Sequence, residues 1–351
     1  MVDWDGLENR CALTGTVGSN PTLSAILPPA IRQAEKSRIA VQPMNAPPDR
    51  HFLYTLFGLI VRSAIELPEL QPTDSGDPDV DIGLRDLGAA APAREVAGLT
   101  LTADGVVLCV PGISRYLIEQ GCRIFVDPDE GISPRNVRLF LLGSAFGALL
   151  HQRGLLPLHA NAIVIDGRAV AFTGRSGAGK STLASLFHDR GHRLLSDDVC
   201  VIDSDGAGQP IVHAGIPHMR LWRDSLERSG RTASDFEAVL DGRDKFTVPA
   251  RWSGTPESVP LRAVFTLANS GDDAGRIGIR RLRGAEALKA LIANTYRGHY
   301  VARLGDSRRH WAASLDLVAK VPVFELERPW SPDWFAATVD AVAAHLRGDP
   351  V

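Results

Sequence analysis

Residues 174 to 182 read Gly174-Arg175-Ser176-Gly177-Ala178-Gly179-Lys180-Ser181-Thr182. This run matches the phosphate-loop pattern, in which Gly-Lys-Ser follows an earlier glycine after four intervening residues. Glycines let the backbone curl and point its N–H groups at phosphate oxygens. The helix that follows such a loop presents its positive end to the anion. The stretch therefore predicts a binding site for a nucleoside triphosphate.

Each residue of the loop has an expected role. Lys180 would reach the β- and γ-phosphates of ATP, and the Ser181 hydroxyl would ligate Mg²⁺. The residues expected around the phosphates are Gly174, Ser176, Gly177, Ala178, Gly179, Lys180, Ser181 and Thr182. The alternative interpretation of this segment is a glycine-rich turn with an incidental lysine.

The flanking sequence supplies the strand and the helix that a phosphate loop requires. Apolar runs predict strands over 158–165 and 168–173, joined by Asp166-Gly167, a dipeptide that suits the positive φ angles of a two-residue hairpin turn. A helix is predicted from Lys180 to Arg190, because Gly191 is a typical exit residue. A strand over 192–195 then leads to a second motif.

That motif is Asp197-Asp198, which lies 17 residues after Lys180, at the end of the next predicted strand. This placement brings both carboxylates close to the phosphates. One carboxylate can hold the metal and the other can accept a proton from an attacking hydroxyl. An isolated Asp-Asp pair also suits a solvated turn. His159, on the strand before the hairpin, is expected near Asp197, either as an active-site residue or in a structural role.

The segment from His159 to Asp203 resembles the C-terminal kinase domain of HPr kinase/phosphorylase. The matching features are the histidine strand, the Gly179-Lys180-Ser181 loop, the run from Arg190 to Leu194, and the paired aspartates, over about 45 residues. The resemblance implies an α/β fold of the HPr-kinase and phosphoenolpyruvate-carboxykinase-like type. It implies that Asp197 activates a substrate serine, that Asp198 lies on the metal side with Ser181, and that His159 belongs to the active site.

Two departures from that family argue against HPr itself as the substrate. Thr182 stands where the HPr enzymes usually have glutamate, and their Glu-Ile-Arg-Gly signature has no clear counterpart. In its place the chain reads Gly215-Ile216-Pro217-His218-Met219-Arg220-Leu221-Trp222. The chain is more similar to a diverged group of HPr-kinase-like proteins, some of which phosphorylate a serine of lasso-peptide precursors. The HPr enzymes form hexamers, and an oligomer is compatible with the resemblance.

The predicted organisation has three parts. Residues 1–48 form an extension, residues 49–130 a smaller β-rich N-terminal domain, and residues 131–351 the ATP-binding kinase domain. Between the last two, a helix is predicted with Ser133 as N-cap, Pro134 in the first turn and Gly154 after its end. Apolar residues occupy nearly all sides of this helix, which predicts that the helix is buried.

The extension has an unusual composition. The run from Gly18 to Ala25 can be encoded by codons that contain the T-loop consensus and the CCA end of a transfer RNA. We expect that the start codon was placed inside such a gene and that Met44 is the natural start. An ordinary flexible tail is the alternative. The nucleotide sequence upstream of Met44 distinguishes the two.

The overall composition and charge argue against several classes of function. The formal net charge is −3 over 351 residues, which argues against a nucleic-acid binder or a polybasic membrane-surface protein. No apolar run is long enough to span a bilayer. The four cysteines show no CxxC pairing, so a disulfide framework or zinc site is not expected, and a cytoplasmic location fits.

The sequence therefore predicts an ATP- and Mg²⁺-dependent kinase that acts on a serine of a peptide or protein. Two alternatives stay open at this stage: a nucleotide-binding regulator with little turnover, and a kinase of a small hydroxylated metabolite. Candidate contacts to phosphate or to an acidic substrate are Arg220, Arg243, Lys245 and Arg297, each of which also suits a solvated surface.

Overall fold

The computed structural model describes residues 51–89, 91–95, 97–240, 244–250, 258–269, 275–304, 307–329 and 331–348. The expected extension over residues 1–48, including Met44, lies outside this part of the chain, and so does Arg243.

The first sheet is built from short strands with the order β3-β1-β2-β4-β8-β7-β6-β5. The strands are β1 (Phe52–Leu56), β2 (Leu59–Ser63), β3 (Gln71–Pro72), β4 (Val80–Leu84), β5 (Gly98–Leu101), β6 (Val106–Val110), β7 (Ser114–Glu119) and β8 (Arg123–Pro128). The pairs β2–β4 and β4–β8 are parallel and the others are antiparallel. The predicted β-rich N-terminal segment thus folds as one mixed sheet.

A helical segment covers this sheet. It consists of α1 (Pro134–Phe140), a π-helical stretch (Leu141–Ala145) and α2 (Phe146–Gln152). Ser133 stands at the N-cap position, although its side chain makes no capping hydrogen bond. Apolar residues of this segment share one core cluster with the sheet. The all-round apolar pattern therefore reflects burial, as the sequence predicts.

A second, nine-stranded sheet carries the phosphate-loop region. Its strands are β9 (Leu156–Leu158), β10 (Ala160–Ile165), β11 (Arg168–Thr173), β12 (Arg193–Ser196), β13 (Cys200–Ser204), β14 (Pro210–Val212), β18 (Val259–Asn269), β19 (Gly278–Leu282) and β20 (Val323–Arg328). The main order is β12-β10-β11-β18-β14-β13-β9, and β20 pairs with both β18 and β19. Strands β11, β18 and β20 are mutually parallel, so their carboxyl ends meet at one edge.

Local chemistry explains the strands next to the loop. The β10–β11 hairpin pairs Ile165 with Arg168 across the turn. Asp166 and Gly167 have φ angles of 51° and 73°, as a two-residue primed turn requires. Both strands are apolar nearly throughout because both faces of the sheet are covered.

Helices cover the two faces of the second sheet. They are α3 (Lys180–Asp189), α4 (Arg223–Arg228), α5 (Gly284–Ala293), α7 (Ser307–Lys320) and α8 (Phe335–Arg347), whereas α6 (His299–Arg303) packs Tyr300 into the core of the first sheet. Residues of α5 and α7 join the core on one face, and residues of α3 and α8 join the core on the other. The fold is therefore a mixed α/β fold with several sheets. None of the helices in the described ranges has the length and apolar composition to cross a bilayer.

One predicted strand differs from the structure. The strand predicted over 158–165 is divided at His159, because β9 pairs with β13 whereas β10 pairs with β11 and β12. In addition, β15 (His218–Trp222), β16 (Glu237–Ala238) and β17 (Lys245–Pro249) form a separate three-stranded sheet with the order β15-β17-β16. Its apolar face, including Met219 and Val248, packs into the same core as α3.

Candidate active site

The glycine-rich loop connects the carboxyl end of β11 to the start of α3. Gly174 has a φ of 145°, and a Cβ there would lie 3.0 Å from the carbonyl oxygen of Leu267 on β18. Gly179 adopts the left-handed conformation, with a φ of 80°, at the N-cap of α3. Other residues would be strained at both positions. The motif glycines are thus explained by backbone geometry.

The loop is open at Gly177. Gly177 has a φ of 80°, and a Cβ added there would meet nothing within 4 Å. The buried ammonium group of Lys180 donates to the carbonyl oxygens of Gly174 at 2.8 Å and Arg175 at 3.3 Å. These bonds hold the lysine across the loop, at the position where a phosphate-binding lysine is required.

Asp197 connects the loop to the carboxylate pair. Its Oδ1 accepts a hydrogen bond from Ser181 Oγ at 3.2 Å, and its Oδ2 accepts one from the backbone N–H of Arg220 at 2.6 Å. Burial and the neighbouring charge of Asp198 raise the pKa of Asp197, more than the bond from Arg220 lowers it. A carboxylate with a raised pKa is suited to accept a proton near neutral pH.

Asp198 has the opposite electrostatic environment. Its Oδ1 lies 3.3 Å from His159 Nδ1, and its Oδ2 accepts a hydrogen bond from Arg220 Nη1 at 3.1 Å. Burial alone would raise the pKa of Asp198, but His159, Arg220, Lys245 and Lys180 outweigh it and lower the pKa to about 2. Asp198 therefore stays ionised. Its φ of 72° also places it in the left-handed region that Asp and Asn tolerate.

His159 is positioned from a distant segment of the chain. Its backbone N–H donates to the carbonyl of Asn294 at 2.8 Å, and the N–H of Tyr296 donates to the carbonyl of Pro157 at 2.8 Å. This pairing stacks the Tyr296 ring on the imidazole, with centroids 6.2 Å apart. Gly147 of α2 makes room for that ring, since a Cβ there would lie 2.9 Å from it. The break between β9 and β10 thus presents His159 to the carboxylates.

The structure brings the predicted residues together with two differences in pairing. Ser181 contacts Asp197, whereas the sequence analysis grouped Ser181 with Asp198. His159 contacts Asp198, the neighbour of the expected Asp197. The hydroxyl of Thr182 lies 3.0 Å from Ser225 Oγ at the start of α4. The catalytic roles assigned to these residues remain predictions.

The candidate cations have different surroundings. Arg220 binds both aspartates, and Lys245 is close enough to lower the pKa of each. Arg297 donates to Ser144 in the π-helical stretch and lies over the Tyr296 ring. Of these three, Arg220 and Lys245 act on the carboxylate pair.

Sequence reasoning missed Arg328. This arginine ends β20, is 1% exposed, and donates from Nη2 to the carbonyl of Ala178 in the loop at 3.2 Å. Its guanidinium lies 4.8 Å from the centre of the Phe335 ring, and burial lowers its pKa to about 10. No motif or spacing marks it, because its position depends on the parallel alignment of β11, β18 and β20.

We expect Arg328→Met to weaken nucleotide binding, because it removes the bond that the guanidinium donates to the Ala178 carbonyl in the loop. Loss of a charge-assisted bond to the loop should weaken ATP binding about tenfold, the equivalent of ~1.4 kcal/mol. Calorimetric titration with Mg·ATP measures this. Arg280→Met, at an exposed arginine of β19, is the control; equal affinities would contradict the prediction.

The donor set fits Mg²⁺. Mg²⁺ prefers oxygen ligands and is commonly held by one or two carboxylates together with substrate phosphates. Ser181 and the two aspartates supply a hydroxyl and carboxylate oxygens beside an open loop. The described residues contain no cluster of three or more His, Cys, Asp or Glu side chains arranged for a metal ion.

Comparisons with known proteins show distant similarity to solved structures. No protein-family model and no curated protein matches the chain. A solved structure of the Hpr(Ser) kinase/phosphatase from Coxiella burnetii matches with a TM-score of 0.31 and 17% sequence identity, over 55% of this chain and 97% of that chain. The chain is distantly similar to that structure.

Proposed function

We propose that the chain is a Mg·ATP-dependent phosphotransferase that transfers the γ-phosphoryl group to a serine hydroxyl of a peptide or protein. The observation that carries the proposal is the 3.2 Å contact between Ser181 and Asp197. This contact joins two parts of the site. One is the strand–loop–helix unit that carries the phosphate-loop sequence, and the other is the carboxylate pair, whose pKa values are shifted in opposite directions. Phosphoryl transfer needs this combination of anion binding, metal ligation and a proton acceptor.

The residues of the site would have different roles in the reaction. Loop N–H groups and Lys180 would bind the phosphates, and Ser181 with Asp198 would hold Mg²⁺, which neutralises charge on the transferring group. Asp197 would accept the proton of the attacking hydroxyl, a role that its raised pKa favours. Arg220 would keep both carboxylates in place through its backbone and side-chain bonds.

The acceptor class follows from the resemblance to HPr-kinase-like serine kinases. Thr182 in place of glutamate and the absence of the Glu-Ile-Arg-Gly signature favour an acceptor other than HPr. A lasso-peptide precursor is the acceptor that the similarity to the diverged group suggests. We also propose that the protein acts in the cytoplasm, where ATP is abundant.

Lys180→Ala is expected to lower phosphotransfer by a factor of about 10² or more, because a positioned charge on the phosphates is lost. The assay uses γ-labelled ATP and Mg²⁺ with HPr, a serine-containing lasso precursor peptide and a metabolite extract as separate acceptors. Lys289→Ala, at an exposed lysine of α5, is the control. Label on a peptide serine that disappears only in Lys180→Ala supports the proposal, and undiminished transfer by Lys180→Ala contradicts it.

A nucleotide-binding regulator is the second candidate function. The observation that favours it is that Asp198 is already bonded to His159 and Arg220, while Lys180 is bonded to loop carbonyls. It predicts ATP binding without transfer to any of the three acceptors. Label confined to the metabolite fraction would instead identify a small-molecule kinase.

A further inference from the structure

A cavity of about 200 Å³ adjoins the paired aspartates. Three parts of the fold enclose it: the first sheet and its loops, helix α1 with the π-helical stretch, and the three-stranded sheet. Asp197 and Asp198 line it, whereas none of residues 174–182 does. Asp197 therefore contacts both Ser181 of the loop and the cavity, which is the arrangement that a phosphoryl acceptor requires.

The hairpin between β1 and β2 holds the first sheet against the cavity. Phe57, in the turn between β1 and β2, donates its backbone N–H to the carbonyl of Ala214 at 2.9 Å and lines the cavity. Glu69 accepts a bond from Arg138 Nε at 2.8 Å across the cavity wall. The cavity is thus a shared feature of the N-terminal sheet and the carboxylate pair.

The charges of the lining do not favour an anion. Its cations are Arg135, Arg138 and Arg220, and its carboxylates are Glu69, Asp197, Asp198 and Glu237. Arg138 is paired with Glu69, and Arg220 is paired with Asp198. Burial lowers the pKa of His218, so its ring adds no charge near neutral pH. The side chains that line the cavity thus have no excess of positive charge to attract an acidic group.

The remaining lining is apolar. It is contributed by Phe57, Leu139, Leu142, Ile216 and Val239. Such a surface accommodates an aliphatic side chain next to a hydroxyl that reaches Asp197.

From these features we infer that the cavity is the acceptor pocket, and that it selects a serine flanked by an apolar residue in a segment without acidic neighbours. This inference rests on the proposed phosphotransfer function. It assigns a substrate-selecting role to the N-terminal sheet and to α1.

In the test, the full-length protein is incubated with γ-labelled Mg·ATP and one of three pools of short peptides. Each peptide has a central serine, which is flanked by aliphatic, acidic or basic residues according to the pool. Intrinsic ATP hydrolysis and ATP binding are measured in parallel, because neither depends on a peptide acceptor. We expect labelling of the aliphatic pool to exceed that of the acidic pool by about tenfold or more. Absence of ATP binding would refute the proposed function itself. A protein that hydrolyses ATP but labels no pool, or labels the acidic pool best, overturns the pocket assignment.

Two variants examine the pocket directly. Leu139→Trp should fill the cavity and lower peptide labelling about tenfold while ATP binding stays unchanged; Leu101→Trp, at an exposed leucine of β5, is the control. Glu237→Lys, at an exposed cavity residue, should raise labelling of the acidic pool relative to the aliphatic pool. Wild-type labelling by Leu139→Trp, or a loss of ATP affinity in that variant, contradicts the inference.

Discussion

Asp197→Asn is expected to lower the rate of phosphoryl transfer by a factor on the order of 10²–10⁴ while ATP still binds. An amide cannot accept the proton of the attacking hydroxyl. Its oxygen can still accept the bond that the N–H of Arg220 donates to Asp197, so the local structure should persist. Single-turnover labelling measures the rate, and calorimetric titration measures ATP affinity. Full activity in Asp197→Asn would refute the base assignment.

The same substitution has a predicted pH signature. A base must be ionised, so the wild-type rate should rise with pH through the pKa of Asp197, which burial and Asp198 raise above the usual carboxyl range. This acid limb should vanish in Asp197→Asn. It should stay in Asp316→Asn, a change at a surface aspartate of α7. An unchanged acid limb in Asp197→Asn would assign the titration to another group.

Asp197→Asn should lower activity without lowering the stability of the fold. Because the folded-state pKa of Asp197 is raised, ionisation of this group disfavours the folded state as pH rises through that pKa. Replacement by a neutral amide removes this cost at pH 7. The melting temperature of Asp197→Asn without nucleotide should therefore equal or exceed that of the wild type.

Asp198→Asn is expected to lower the free energy of unfolding by about 2 kcal/mol at pH 7. The pKa of Asp198 is lowered from 3.8 to about 2, so its ionised form stabilises the folded state above the unfolded-state pKa. The substitution leaves Arg220 and His159 without their carboxylate partner. Asn tolerates the φ of 72°, so backbone strain adds nothing.

Denaturant titrations at several pH values check this prediction. The difference between wild type and Asp198→Asn should shrink as pH falls from about 4 towards 2, because the stabilising charge of Asp198 is then lost in the wild type as well. Asp197→Asn serves as the matched variant, since it removes the adjacent carboxylate. Equal destabilisation by the two substitutions would contradict the division of the pair into a low-pKa and a high-pKa carboxylate.

The sequence predicts those parts of the site that depend on near neighbours in the chain. The Asp166-Gly167 turn, strand β11, the loop and α3 with Gly191 at its end all form where the pattern places them. Each is specified by local chemistry: residues that accept positive φ angles, an apolar run, and a helix exit. The proximity of Asp197 to Ser181 follows as well, because one helix and one strand separate them.

Tertiary structure decided what surrounds these residues. The break at His159 arises because β9 and β10 have different partners, and Tyr296 reaches the imidazole through backbone pairing with residues far away in the sequence. Arg328 meets the loop only because three parallel strands end at one edge. The cavity needs two sheets and a helix together. The sequence by itself thus determined the glycine-rich loop and the paired carboxylates. Burial and long-range pairing, which a linear pattern does not encode, decide the pKa difference within the pair, the support of the loop and the shape of the proposed acceptor pocket.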